Sequence, residues 1–289
     1  MNEPVPHKLY KYQPFNQYSL INLIKRQLYF SKPENFNDPY DCDPPFRIAK
    51  THRTEKNINS LFARIRNSRT DTAAFDMNYL TKGKPNKRFE REFIDSPNSI
   101  REQIRAKTGV TCFSENVDDI LLWSHYADMH KGFCLEFDTQ VPIMKGQPNT
   151  KLYKVKYPKS NSYRRLNIRD ILNKFDVLEV LLTTKSHHWH YENEWRIFCD
   201  EGGSKAYPFN LNALTGIYFG YKMPKEYKDV IVSVLSDSSN QNTPLDLVTL
   251  AKSYPHQFIR GTQIILYDTQ LNNEKFMVTH SNFRPSSKT

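Results

Sequence analysis

The sequence predicts an α+β fold with a mixed, mainly antiparallel sheet and a basic helical insertion. Three observations carry this expectation. Short segments of alternating strand character are interspersed with segments of helical period along all 289 residues. No Gly-rich phosphate loop follows any strand, which argues against dinucleotide-binding and P-loop architectures. A window from 48 to 107 has helical patches, few strand signals, and 14 Lys plus Arg against 7 Asp plus Glu. The chain therefore reads as one α+β domain over 1–289, with 48–107 as a helical insertion lying over the sheet.

The elements follow in order. Lys8 to Tyr12 alternates as a strand. Gln17 to Arg26 has Leu20, Leu23 and Ile24 at helical spacing behind an Asn16 or Ser19 cap. Leu28 to Ser31 is the next strand, and Pro33 with Asn35-Phe36-Asn37-Asp38-Pro39 forces a turn. An acidic cluster, Tyr40-Asp41-Cys42-Asp43, comes next. In the insertion, Ile58, Leu61, Phe62 and Ile65, and later Phe89 and Phe93, mark helices. Val110 to Ser114 is a strand, and Asn116 is the expected cap of a helix from Val117 that ends near Gly132. Phe133 to Asp138 and Leu152 to Tyr157 alternate as strands, and Asp170 to Leu182 has a helical pattern. Trp189 to Cys199 reads as one long strand. A Gly202-Gly203 turn, a strand over Gly216 to Gly220, a helix over Lys225 to Leu235 and strands at Ile264–Tyr267 and Phe276–Thr279 complete the fold. The tail from Arg284 is Ser- and Lys-rich and reads as loose.

Composition narrows the class. Aromatic residues make up 13% of the chain, so the core is built more from Phe and Tyr than from small aliphatics. No apolar run is long enough for a membrane span, and the N-terminus has no signal-peptide segment. Cys42, Cys112, Cys134 and Cys199 are far apart and form no Cys-x-x-Cys pair, the pattern of unbridged thiols in a cytoplasmic protein. No Cys/His spacing supports zinc. The net charge of +10 favours an anionic partner, with nucleic acid at the basic insertion as the expected one.

The richest chemistry lies at Trp189–Cys199. On a strand, His190, Glu192, Glu194, Arg196 and Phe198 share one face, and the two carboxylates stand roughly 7 Å apart. A carboxylate pair beside an Arg suits stabilisation of an oxocarbenium-like sugar centre. It also suits a divalent metal, with Asn37, Asp38, Asp41 and Asp43 as further ligands, although Asn-Asp-Pro is first of all a turn former. Trp123-Ser124-His125-Tyr126 places further functional side chains on a helix. Ser124 and His125 are adjacent and point about 100° apart, so no serine triad forms. Lys185 and Trp189 lead into the central strand, where Lys185 can meet the carboxylates or a phosphate.

These blocks resemble the bacterial domain-of-unknown-function family 2971. The likeness rests on Leu9-Tyr10-Lys11-Tyr12, Phe36-Asn37-Asp38-Pro39-Tyr40-Asp41, Cys112-Phe113-Ser114-Glu115, Trp123-Ser124-His125-Tyr126-Ala127, Gly132-Phe133-Cys134-Leu135-Glu136-Phe137, Tyr191-Glu192-Asn193-Glu194-Trp195-Arg196 and Ile217-Tyr218-Phe219-Gly220. That family implies no activity. The order of the same blocks also resembles the ADP-ribosyltransferases, especially those that modify nucleic acids, with a basic first-strand residue, an aromatic-Ser strand and a late catalytic Glu. This resemblance implies an enzyme that uses NAD, in a bacterial toxin or phage-defence role. Glu194 would be catalytic, with Glu192 and Arg196 beside it, and Glu194→Gln should abolish transfer while leaving folding intact. Tyr10, Lys11, Tyr12, Phe113, Ser114, His125, Tyr126 and Lys185 would contact NAD, Tyr126 by stacking on nicotinamide and Lys11 or Lys185 by meeting the pyrophosphate. Departures are plain: the first strand has no His or Arg, and Phe113-Ser114-Glu115 replaces the usual Ser-Thr-Ser. Two other readings are a Mg-dependent nuclease using Asp38, Asp41, Glu192 and Glu194, and a non-catalytic nucleic-acid-binding protein.

Overall fold

The computed structural model describes residues 3–43, 46–48, 53–67, 70–95, 102, 105–146, 151–159, 164–166, 174–199, 202–236, 264–272, 274–275 and 277–283. In chain order the strands are β1 (Lys8–Gln13), β2 (Gln27–Phe30), β3 (Phe46–Ile48), β4 (Leu80–Thr81), β5 (Lys84–Pro85), β6 (Gly109–Ser114), β7 (Phe133–Asp138), β8 (Tyr153–Lys154), β9 (Arg164–Leu166), β10 (Glu194–Cys199), β11 (Lys205–Pro208), β12 (Leu214–Phe219), β13 (Ile265–Leu271) and β14 (Val278–Asn282). Eight of them form one sheet in the order β14-β13-β12-β7-β1-β6-β10-β8. Only β12 and β13 run parallel within it. The α+β expectation holds.

The register places the chemistry. Glu194 lies opposite Ser114, Arg196 opposite Cys112 and Phe198 opposite Val110. Tyr10 lies opposite both Ser114 and Glu136, and Tyr12 opposite Cys134. Directly paired residues share a face, so these side chains lie on one side of the sheet. Leu9, Phe113, Leu135, Trp195 and Ile197 lie on the other, in the largest apolar cluster. The first face carries two smaller clusters. One, around Trp123, Cys134 and Tyr218, covers the β12-β7-β1 side. The other joins Val110 and Phe198 to Phe62, Phe75, Phe89 and Phe93 of the insertion. The polar residues of β10 lie between these two apolar covers.

The sheet also opens at its middle. β1 pairs with β7 over six residues and β10 with β6 over six, yet β1 and β6 meet only at Tyr10 and Ser114. On the far side of this split, Ser31 bridges to Val110, with hydrogen bonds of 2.8 and 2.9 Å.

Several expectations need correction. Trp189–Cys199 is not one strand: His187–Glu192 is a 3-10 helix, Asn193 turns left-handed at φ 42°, and β10 starts at Glu194. His190 and Glu192 therefore share no strand face with Glu194. Asn has the short polar side chain that tolerates this conformation. The helix expected from Val117 runs Ile120–Tyr126, because Asp119 caps it by accepting from the amides of Leu121 and Leu122. Asn116 is engaged elsewhere, its Nδ2 donating to the Tyr191 carbonyl at 3.1 Å. The helix ends at Ala127, and Asp128, Met129 and His130 all adopt positive φ before Gly132. β2 leaves the main sheet and pairs with β11, a strand the alternation did not announce. Strand structure in Leu152–Tyr157 is confined to β8, with a bridge from Lys156 to Thr184. Asn16 caps the helix Gln17–Ile24 as expected, in a capping box with Ser19. Residues 170–173 of the expected helix, Phe276 and the tail from Arg284 lie outside the described residues; the helix is seen over Lys174–Leu182.

Candidate active site

The Arg196 side chain is fully buried on β10 and makes a two-sided fork. It donates to both Asp41 oxygens at 2.8 Å and to both Glu194 oxygens at 2.7 Å, and to the Leu182 carbonyl at 2.8 Å. Lys185 stands beside it. Its Nζ lies 2.6 Å from Glu192 Oε2, 3.3 Å from Glu194 Oε2 and 3.2 Å from Asp41 Oδ2. Tyr126 donates to the other Glu192 oxygen at 2.6 Å. The chain reaches this arrangement from four directions: the turn after β2, the helix Ile120–Tyr126, the helix Lys174–Leu182 and β10. The Asn193 turn brings Glu192 back beside Glu194 although the two sit on different elements. Ser114 fixes that turn, its hydroxyl donating to the Glu192 carbonyl at 2.6 Å. The Glu194 amide donates to the Tyr157 hydroxyl at 3.0 Å.

Charge distinguishes the two glutamates. Three carboxylates, Asp41, Glu192 and Glu194, face two cations, Arg196 and Lys185. Arg196 grips both oxygens of Asp41 and of Glu194, which leaves Glu192 to Lys185 and Tyr126. Burial alone would raise the Glu194 carboxyl, but Arg196 and Lys185 outweigh burial and hold it well below the usual carboxylate range. Burial and the neighbouring Glu194 charge push Glu192 up to about 7, against the pull of Lys185 and Tyr126. Glu194 and Asp41 hold Lys185 protonated, above its ordinary range, against the cost of burial. Glu194 is thus a fixed anion, whereas Glu192 titrates near neutral pH.

A cavity of about 460 Å³ opens onto this cluster through the split between β1 and β6. Of the residues singled out in the sequence, Tyr10, Lys11, Tyr12, Asn37, Phe113, Ser114, His125, Tyr126, Lys185, Glu192 and Glu194 all line it. Arg196 lies behind Glu194, sealed from the cavity. Trp189 packs against His125 at 5.9 Å between ring centroids, with Lys185 Nζ 5.1 Å from its ring centroid. Trp123 does not line the cavity. It is fully buried, donates to the Val117 carbonyl at 2.7 Å and packs edge-on to Tyr12. Asp38 is buried in a turn, accepting from the Tyr40 amide at 2.9 Å. Asp41 turns instead to Arg196, so these two aspartates do not converge. Among the described residues, no three His, Cys, Asp or Glu side chains are grouped to hold a metal ion.

Lys11 differs from Lys185. Its Nζ donates to the Cys112 carbonyl at 3.1 Å and lies 5.5 Å from the Phe113 ring centroid, and burial lowers its pKa. Sequence reasoning missed two contributors. Asp41 stood only among metal ligands, yet it is the second partner of Arg196. Phe36 lines the cavity with its ring centroid 5.5 Å from the Arg196 guanidinium. The acidic and aromatic character of 36–43 was the available signal; the long-range pairing was not.

Residues 122–197 match a family model described as "Protein of unknown function (DUF2971)". The matched segment contains Tyr126, Lys185, Glu192, Glu194 and Arg196, so the likeness to that family is supported over most of this cluster. No curated protein and no solved structure matches the chain. Among the described residues, no helix is long and apolar enough to cross a membrane.

Proposed function

We propose that the cavity is the active site of an ADP-ribosyltransferase-like enzyme with NAD as substrate and Glu192 as the working carboxylate. The observation that carries this reading is the placement of Glu192, whose two oxygens meet Tyr126 and Lys185 at 2.6 Å at the wall of an aromatic-lined cavity. NAD supplies a glycosidic bond whose cleavage leaves positive charge on the ribose as nicotinamide departs. A buried carboxylate aimed at that sugar stabilises the charge more strongly than water can. Glu192 meets this need because its oxygens retain acceptor capacity beyond the Tyr126 and Lys185 bonds. Glu194, gripped on both oxygens by Arg196, is a positioning residue that keeps Lys185 charged and in place.

The remaining lining fits the donor. Tyr10, Tyr12 and Tyr126 offer rings for a planar base, and Lys11 retains donors for a pyrophosphate oxygen. The volume falls within the roughly 300–1,000 Å³ of ordinary ligand sites. Nothing in the arrangement specifically favours the metal-dependent nuclease.

The test is nicotinamide release from NAD by wild type and Glu192→Gln, with thermal melting as the folding control. Release should fall about 10²–10³-fold in the variant while its melting temperature stays near that of wild type. Wild-type release from a folded Glu192→Gln protein overturns the assignment.

A further inference from the structure

The expected nucleic-acid surface is the insertion 48–107, where Arg53, Arg66, Lys84, Arg88 and Arg105 are held by carboxylates while Lys56, Arg64, Lys82, Lys87 and Arg91 are exposed. A different surface combines free positive charge with exposed rings. β8 is the edge strand of the sheet, and the segment 151–159 carries Lys151, Lys154, Lys156 and Lys159. Lys154 is paired with Glu115. Lys156 and Lys159 are exposed, and neither meets a carboxylate among the described residues. This segment runs directly to the cavity wall: the Lys156 amide donates to the Thr183 carbonyl at 2.7 Å, and the Lys185 amide donates to the Lys156 carbonyl at 3.1 Å.

Two residues beyond Lys185 begins a run of five ring-bearing side chains, His187-His188-Trp189-His190-Tyr191, all on the 3-10 helix. The His187 and His190 rings stack at 4.7 Å, Trp189 packs on His125 of the cavity wall, and Tyr191 leans on Trp189 at 6.1 Å. His188 and His190 are exposed, and Trp189 and Tyr191 are partly so. Exposed rings and unpaired lysines are the two components of sequence-tolerant binding to single strands: bases stack on π-faces while the phosphates follow the cations. A duplex keeps its bases stacked on one another and cannot use the rings.

We infer that the β8 edge and the 187–191 helix form a docking strip for single-stranded nucleic acid, which delivers an unpaired nucleotide to the cavity. This deepens the transferase reading by naming its acceptor and rests on that reading only for the word acceptor. The binding itself is tested without NAD, so it stands or falls separately from nicotinamide release.

Trp123 and Trp195 are 0% and 2% exposed, which leaves Trp189 as the one of the three tryptophans that a base can reach. Intrinsic fluorescence is therefore titrated with a twelve-nucleotide oligo-dT, a twelve-nucleotide oligo-U and a duplex of the same length, across a salt series. The expected result is saturable quenching by a single strand at least tenfold tighter than by duplex; the dT and U arms identify DNA or RNA. Lys156→Gln with Lys159→Gln should weaken binding at least tenfold and make the salt slope shallower by about 1.4, since each lost phosphate contact removes about 0.7. Trp189→Phe should remove the quench. No saturable quench, equal binding of duplex, or unchanged affinity and slope in the double-lysine variant overturns the proposal.

Discussion

At the scale of single residues, the account turns on two glutamates two positions apart that do different work. Glu194 has a folded-state pKa below the ordinary range, so its contribution to stability is complete above that range and is lost as pH falls. Glu192 is the reverse. Its pKa is raised from 4.5 to about 7, so the stability tied to its protonated form is complete below 4.5 and is lost as pH rises through 7. The ionised form is the one that stabilises positive charge on a sugar. The kcat/KM for NAD should therefore climb with pH along a limb centred near 7. Tyr126 favours the ionised form through its hydrogen bond. Tyr126→Phe should therefore move the limb to higher pH, whereas an unmoved limb would assign it to another group. The sequence places these carboxylates near Arg196 and offers Lys185 as a partner for them or for a phosphate. It could not show which one Arg196 grips, because that depends on Asp41, 155 positions away.

At the scale of elements, what was legible is what local pattern dictates. Alternation located β1 and β7, β6 and β12 read as strands from their residues, and Asn16 was one of two caps expected for the first helix. The central stretch was misread because its aromatic residues favour strands, while the left-handed Asn193 turn and the contacts of Ser114 and Asn116 hold it as helix, turn and strand. Asn193→Gly should be near neutral. Asn193→Val, which pays the left-handed penalty of roughly 1–2 kcal/mol and stiffens χ1, should lower the urea midpoint. Equal stability of the two variants would show that this conformation constrains nothing. The turn after β2 is anchored by one buried fork, Asp41 to Arg196. Removing a single partner of a buried pair leaves an uncompensated charge, so Asp41→Ala should cost about 3–5 kcal/mol in urea unfolding. A loss below 1 kcal/mol would mean that water or a rearranged Glu194 replaces it.

At the scale of the whole molecule, the site exists because the sheet is incomplete. β1 and β6 are paired as strands only at Tyr10 and Ser114, and the gap they leave is walled by β2, the 33–43 turn and the helix Ile120–Tyr126. Apolar clusters cover the same sheet face on both sides, and the charged groups between them are buried. The insertion contributes the apolar cover on one side through Phe62, Phe75, Phe89 and Phe93. None of this was visible in local pattern, since a split sheet differs from a continuous one only in which distant residues pair. The most direct measurement is hydrogen–deuterium exchange of the protein with and without NAD, using Glu192→Gln to prevent turnover. The account predicts slowed exchange in residues 10–13, 112–114, 122–126 and 185–194, on both sides of the split and around its mouth. Protection confined to other segments, or none at saturating NAD, would contradict it.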